Sequence, residues 1–141
     1  MTRDGNNTGT LRPAAVNLSP LNVAATDLGA LQEKLLATAR TAHAHRAADT
    51  VYGSRDTVLR QTILALLAGT ELAAHDSPPE ATLQVLTGRV RLIGDGRSWE
   101  LDAGDLVPIP PERHAVTAIE DSVFLLTVIR ATAASIEAAP A

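Results

Sequence analysis

Gly104-Asp105-Leu106-Val107-Pro108-Ile109-Pro110-Pro111-Glu112-Arg113-His114 is the stretch whose reading decides the fold. Ala103-Gly104-Asp105 supplies the backbone freedom of a turn, Leu106–Ile109 reads as a short strand, and Pro110-Pro111 ends it. His114 follows, just ahead of another aliphatic run, Ala115–Ile119. A second stretch, upstream, is built in a related way. Gly69 is followed after five residues by His75, then by the turn Ser77-Pro78-Pro79 and the run Ala81–Thr87, which Gly88 closes.

Outward from these stretches the same grammar holds. From Ala47 on, runs of β-branched and aliphatic residues alternate with turn signals at intervals of roughly ten residues, the pattern of an all-β sandwich or barrel. The expected strands are Ala47–Tyr52, Thr57–Ala68, Glu71–His75, Ala81–Thr87, Arg89–Ile93, Ser98–Leu101, Leu106–Ile109, Ala115–Ile119 and Ser122–Ile129. Asp95-Gly96 between two of them is a hairpin signal. Ahead of the strands, Leu28, Leu31, Leu35 and Leu36 make one apolar stripe at helical spacing. Asp27 stands where an N-cap belongs, and Lys34 and Arg40 lie towards the end that favours cations, so a helix is expected at about 27–40. The organisation that follows is a disordered arm over 1–20, a helical segment over 21–46, a barrel over 47–130 and an alanine-rich tail over 131–141.

Composition narrows the function classes. The chain of 141 residues contains no cysteine, which excludes thiol catalysis, disulfides and cysteine-ligated zinc. The net charge is −4 and no Lys/Arg cluster occurs, so no nucleic-acid partner is expected. The longest wholly apolar run, Ile63–Ala68, is too short to span a bilayer, and MTRDGNNTGT lacks the apolar centre of a secretory signal. The expectation is a cytoplasmic protein with no membrane partner. Tyr52, Trp99 and Phe124 are the only aromatics, which leaves few rings on which to stack a planar ligand.

The two glycine-to-histidine stretches resemble the paired motifs of the cupin superfamily. In the first, Gly69, His75 and the closing Gly88 match; in the second, Gly104, Asp105, Pro110 and His114 match. The wider wording, Glu80–Leu86 and Gly88–Leu92, is similar to a group of small bacterial cupins with no assigned activity. The resemblance covers about Ala47 to Ile129 and implies a double-stranded β-helix, the cupin or jelly-roll barrel, preceded by one N-terminal α-helix. It also implies a homodimer. Cupins hold their metal with three histidines and a glutamate. His75 matches the first histidine and His114 the last, whereas Ser77 stands at the second and Ala81 at the glutamate. Glu80 lies on the opposite side of the strand, and Ala118 replaces the terminal asparagine. Two histidines make an open, degenerate site, so there is no firm cofactor and at most a weakly bound divalent metal on His75 and His114.

His75 and His114 facing each other across the barrel mouth would hold a small ligand, with Ser77 beside them and Gln61 and Tyr52 as further inward candidates. Asp76 and Glu80 flank His75 as carboxylates able to orient an imidazole, or as a solvated turn. His43 and His45 read as an exposed pair, and Arg89, Arg91 and Arg97 as a solvated outer face rather than an anion site. Two function classes follow. One is a binding or sensing module for a small molecule. The other is a cupin-type enzyme, either a metal-dependent oxygenase or isomerase, or a metal-free epimerase or lyase using histidine acid–base chemistry. The missing ligands favour the first.

Overall fold

A computed structural model describes residues 23–75 and 78–130; the arm and tail expected over 1–20 and 131–141 lie outside them. One helix, α1 (Leu28–Thr41), precedes nine strands: β1 (Arg46–Tyr52), β2 (Leu59–Leu66), β3 (Glu71–His75), β4 (Glu80–Thr87), β5 (Arg89–Gly94), β6 (Arg97–Asp102), β7 (Leu106–Pro108), β8 (His114–Ala118) and β9 (Ser122–Ile129). They form two antiparallel sheets, five strands in the order β1-β2-β9-β4-β7 and four in the order β3-β8-β5-β6. After β2 the chain changes sheet at every connection except the β5–β6 hairpin, which turns on Asp95-Gly96 as its sequence predicts. That alternation winds the two sheets around one another as a jelly roll.

Alternating residues explain why the sheets stack. On the facing sides, Leu66, Leu83, Val85, Val90, Leu92 and Phe124 are fully buried in one cluster. The opposite side of the five-stranded sheet is apolar as well, with Ile63, Ala65 and Val123 fully buried. Leu35 and Ala39 of α1 cover it, flanked by Leu28, Leu31 and Leu36. The leucine stripe is therefore used within the chain. Asp27 caps the helix by accepting from the Ala30 amide at 3.0 Å, and Arg40 lies in its last turn.

One corner shows how the crossings are made. Between β4 and β5, Gly88 takes φ +85°, and a Cβ there would lie 2.4 Å from the Asp121 carbonyl oxygen. Only glycine fits. Beside it the buried Ser122 hydroxyl accepts from the Arg89 amide at 2.9 Å and meets the Glu120 carbonyl at 2.7 Å. The strand expected over Thr57–Ala68 is shorter at both ends. At its start the Thr57 hydroxyl is drawn into a turn with the Ser54 and Leu59 carbonyls.

If α1 is an integral layer of this fold, Leu35→Ala lowers unfolding stability by about 2–5 kcal/mol, the range for a buried leucine truncated in a packed core. Urea denaturation of both proteins measures it; a change within experimental error would mean that the helix docks too loosely to be part of the folding unit.

Candidate functional site

His114 opens β8 at the end of the barrel away from the Gly88–Ser122 corner. Its position follows from the turn behind it. Gly104 takes φ +94°, and its amide bonds the Val85 carbonyl at 2.8 Å while Asp105 returns a carbonyl to the Val85 amide at 2.9 Å. The Asp105 carboxylate also caps the Asp102 amide at 2.8 Å. Thus the Gly104-Asp105 pair anchors β7 to β4, and the Ile109 amide continues the attachment on the Ala81 carbonyl at 2.9 Å. Pro110 and Pro111 then turn the chain across to the other sheet. His114 shares its face of β8 with Val116 and Ala118, which belong to the core between the sheets. It is 3% exposed.

The partner strand, β3, reaches His114 through an irregular register. Leu72 pairs with Val116, yet His75, not Ala74, is the Cα partner of His114. A regular ladder would have set Ala74 there; one extra residue on β3 brings the His75 backbone opposite instead. The two histidines are thus paired across neighbouring strands. Ser77 and Asp76 lie outside the described residues.

The other expected site residues are elsewhere. Gln61 shares its side of β2 with Ile63 and Ala65, the side covered by α1, and donates from Nε2 to Thr127 Oγ1 at 3.2 Å. Tyr52, 43% exposed, is the cross-strand partner of Gln61 after a register shift in β1. These two are neighbours of each other, on the far side of the five-stranded sheet from His114. Glu80 is exposed at the start of β4, while Ala81 packs on the core cluster. His43 and His45 are exposed. Arg89 and Arg91 form an ion-paired ladder with Glu100 and Asp102 at 2.6–3.1 Å on the open side of the four-stranded sheet.

A groove of about 530 Å³ lies beside His114, between the end of the β5–β6 hairpin and the segment Glu112–Ala115. Glu71, Ile93 and Arg113 also line it. Glu112, which the sequence did not single out, ties these parts together. Its carboxylate accepts from the Asp95 amide at 2.5 Å and from Arg97 Nη2 at 2.9 Å. Arg97 in turn lies over the Trp99 ring, 5.0 Å from its centroid. The Arg97 hydrogen bond, followed by the bond from the Asp95 amide, holds the Glu112 carboxyl below its ordinary value of 4.5.

No protein-family model matches the sequence, and no curated protein matches it. Among solved structures, an RmlC-like cupin protein from Desulfovibrio desulfuricans is 25% identical, over 60% of this chain and 81% of that one, with a TM-score of 0.53. A conserved protein of unknown function from Streptococcus pyogenes, also 25% identical, aligns over 65% of this chain and 80% of that one at 0.58. This chain has the cupin fold. A salicylate 1,2-dioxygenase from Pseudoaminobacter salicylatoxidans has the same fold at 19% identity, over 71% of this chain and 32% of that one, with a TM-score of 0.61. Cupins thus include enzymes, and the fold leaves the activity open.

The cupin metal set can be tested against the residues present. At the glutamate's position is the Ala81 methyl, set in apolar surroundings, and Glu80 is directed away by strand alternation. Among the described residues no three His, Cys, Asp or Glu are grouped to hold an ion. A tightly held transition metal needs at least three protein donors, and the described residues do not supply them.

The Glu112–Arg97 contact carries a pH dependence whose sign follows from the lowered carboxyl. A depressed Glu value contributes stability in full above 4.5, and that contribution is lost as pH falls through the folded-state value. Wild-type protein is expected to exceed Arg97→Met in urea midpoint near neutrality, with the gap closing below pH 4.5. Parallel denaturation series across that range check it; a gap that widens in acid would overturn the assignment.

Proposed function

We propose that this cupin is a small-molecule binding or sensing module whose ligand sits at His75 and His114, at the end of the barrel beside the Glu112 groove. One observation carries the reading: the shifted β3 register that sets His75 opposite a buried His114. Only two buried polar side chains occur among the described residues, His114 and Ser122. Ser122 serves the backbone at a corner. A histidine buried beside a groove at the barrel mouth, rather than at a backbone corner, supports a ligand-facing role. Ala81 in place of the metal-binding carboxylate favours binding over metal-dependent oxygenase or isomerase chemistry.

The proposal includes a homodimer in the cytoplasm. Because α1 spends its apolar stripe on its own barrel, the dimer contact falls on another surface, and the open edge strand β1 offers backbone groups for it. No described helix is long and apolar enough to cross a membrane.

Metal content by mass spectrometry on tag-free protein, with His75→Ala and His114→Gln beside it, tests the site. Far less than one metal per chain is expected, even after incubation with Mn, Fe, Ni or Zn. A metabolite screen by thermal shift should then find a ligand that stabilises wild-type protein and neither variant; at about a hundred times its Kd such a ligand adds about 2.7 kcal/mol. Near-stoichiometric metal, lost in both variants, would replace this reading with a metalloenzyme.

A further inference from the structure

The two outer surfaces of the sandwich differ in a way that exposure to water alone does not explain. On the open side of the four-stranded sheet, Arg89, Arg91, Glu100 and Asp102 carry the charges expected of a solvated face. The outer side of the five-stranded sheet is covered only in part, because α1 lies over β1 and β2. Beyond the helix, strand pairing brings six side chains to one surface. Gln61 pairs with Thr127, Thr127 with Thr82 and Thr82 with Pro108, while Gln84 pairs with Leu106. Thr82, Gln84, Leu106, Pro108 and Thr127 each adjoin a residue that packs between the sheets, so strand alternation turns them outward, and Gln61 follows from its pairing. Leu106 is 58% exposed. A single exposed leucine needs no explanation. The set is different: on this side of β4, β7 and β9 the only charged residue is Glu80, exposed at the start of β4.

Such a surface is matched to a second copy of the same chain. The net charge is −4, so two copies repel on approach. In a two-fold contact the same patch faces itself, and any charge in it would stand near its own like. Amides and hydroxyls escape this conflict, because each is both donor and acceptor. Gln84, Thr82 and Thr127 can therefore bond to their counterparts while Leu106 and Pro108 are taken out of water. The edge of β1 is less suited, since an antiparallel pairing centred on that strand sets Asp49 opposite its own copy. We propose that a second copy of the chain docks on this uncharged face, stacking the five-stranded sheets of two protomers beside their α1 helices. This rests on the homodimer reading given above and names the surface that serves it.

Sedimentation velocity of the full chain over a concentration series tests the face. Wild-type protein is expected to dimerise. Gln84→Lys and Leu106→Lys each bring two ammonium groups into the two-fold contact. Each should weaken the dimer about a hundredfold, the scale of like charges set together at an interface. Ser98→Lys, exposed on the charged face of the other sheet, should leave it unchanged. All three substitutions lower the net negative charge, so a loss confined to the first two reports the local contact and not general repulsion. Neither Gln84 nor Leu106 belongs to the buried core, and an unchanged far-ultraviolet circular dichroism spectrum shows that each variant is folded. If both variants dimerise as tightly as wild type, or if Ser98→Lys loses the dimer equally, this face is overturned and the homodimer reading stands. Wild-type protein that stays monomeric throughout overturns both.

Discussion

The constraint on which this barrel depends is the burial of β9 on both faces. Phe124 and Leu126 point between the sheets, whereas Val123 and Leu125 point under α1, and the strand's edges are taken by β2 and β4. A strand with an apolar side to satisfy in each direction admits one register. A slip by one residue would exchange its two faces and set Phe124 against the small Ala65 and Ala39 beneath the helix. From that fixed strand the rest follows outward. Neighbours β2 and β4 inherit its register, and the crossing at Gly88 and Ser122 passes it to β5 in the other sheet.

The candidate site lies where this order ends. Across the four-stranded sheet, β5 and β8 keep a regular ladder from Val90–Ala118 to Ile93–Ala115. Beyond that point the hairpin and the proline segment diverge, and Glu112 closes the gap between them with its side chain. On the other side of β8, β3 departs from regularity at Ala73–Ala74. His114 thus has irregular pairing on both flanks, while β8 behind it keeps a regular ladder with β5.

Much of the fold was legible because the strands carry alternation between clear stops. Every expected strand exists within two residues or so of its observed ends, and Asp27, Gly88 and the Asp95-Gly96 turn do what their residue types suggest. His114 was legible through its spacing from Gly104 and Pro110. The facing of Gln61 was not, because Arg60-Gln61-Thr62 is a polar run with no alternation to read, and only the pairing with β9 shows that it faces the helix side. The extra residue in β3 falls on Ala73-Ala74, two identical small side chains that prefer neither face, so nothing in the sequence marks it. Glu112 and Arg97 meet across 15 positions at a hairpin tip, a contact that turn chemistry alone does not specify.

Where the polar groups stand bears on what this barrel can hold. In the metal-binding pattern, carboxylate and imidazoles converge inside the barrel, and the ion offsets the cost of burying them. By the motif resemblance Ala81 stands at the carboxylate's place, and it packs against the cluster of Leu83, Val85 and Phe124. Restoring a glutamate at that one position would bury a charge among aliphatic side chains unless a cation came with it. The carboxylate nearest His114 in sequence is instead Glu112, at the rim, with its charge already answered by Arg97 and an amide. The charge next to His114 in sequence thus stands at the edge of the barrel, paired with Arg97, while the position of Ala81 inside it is apolar.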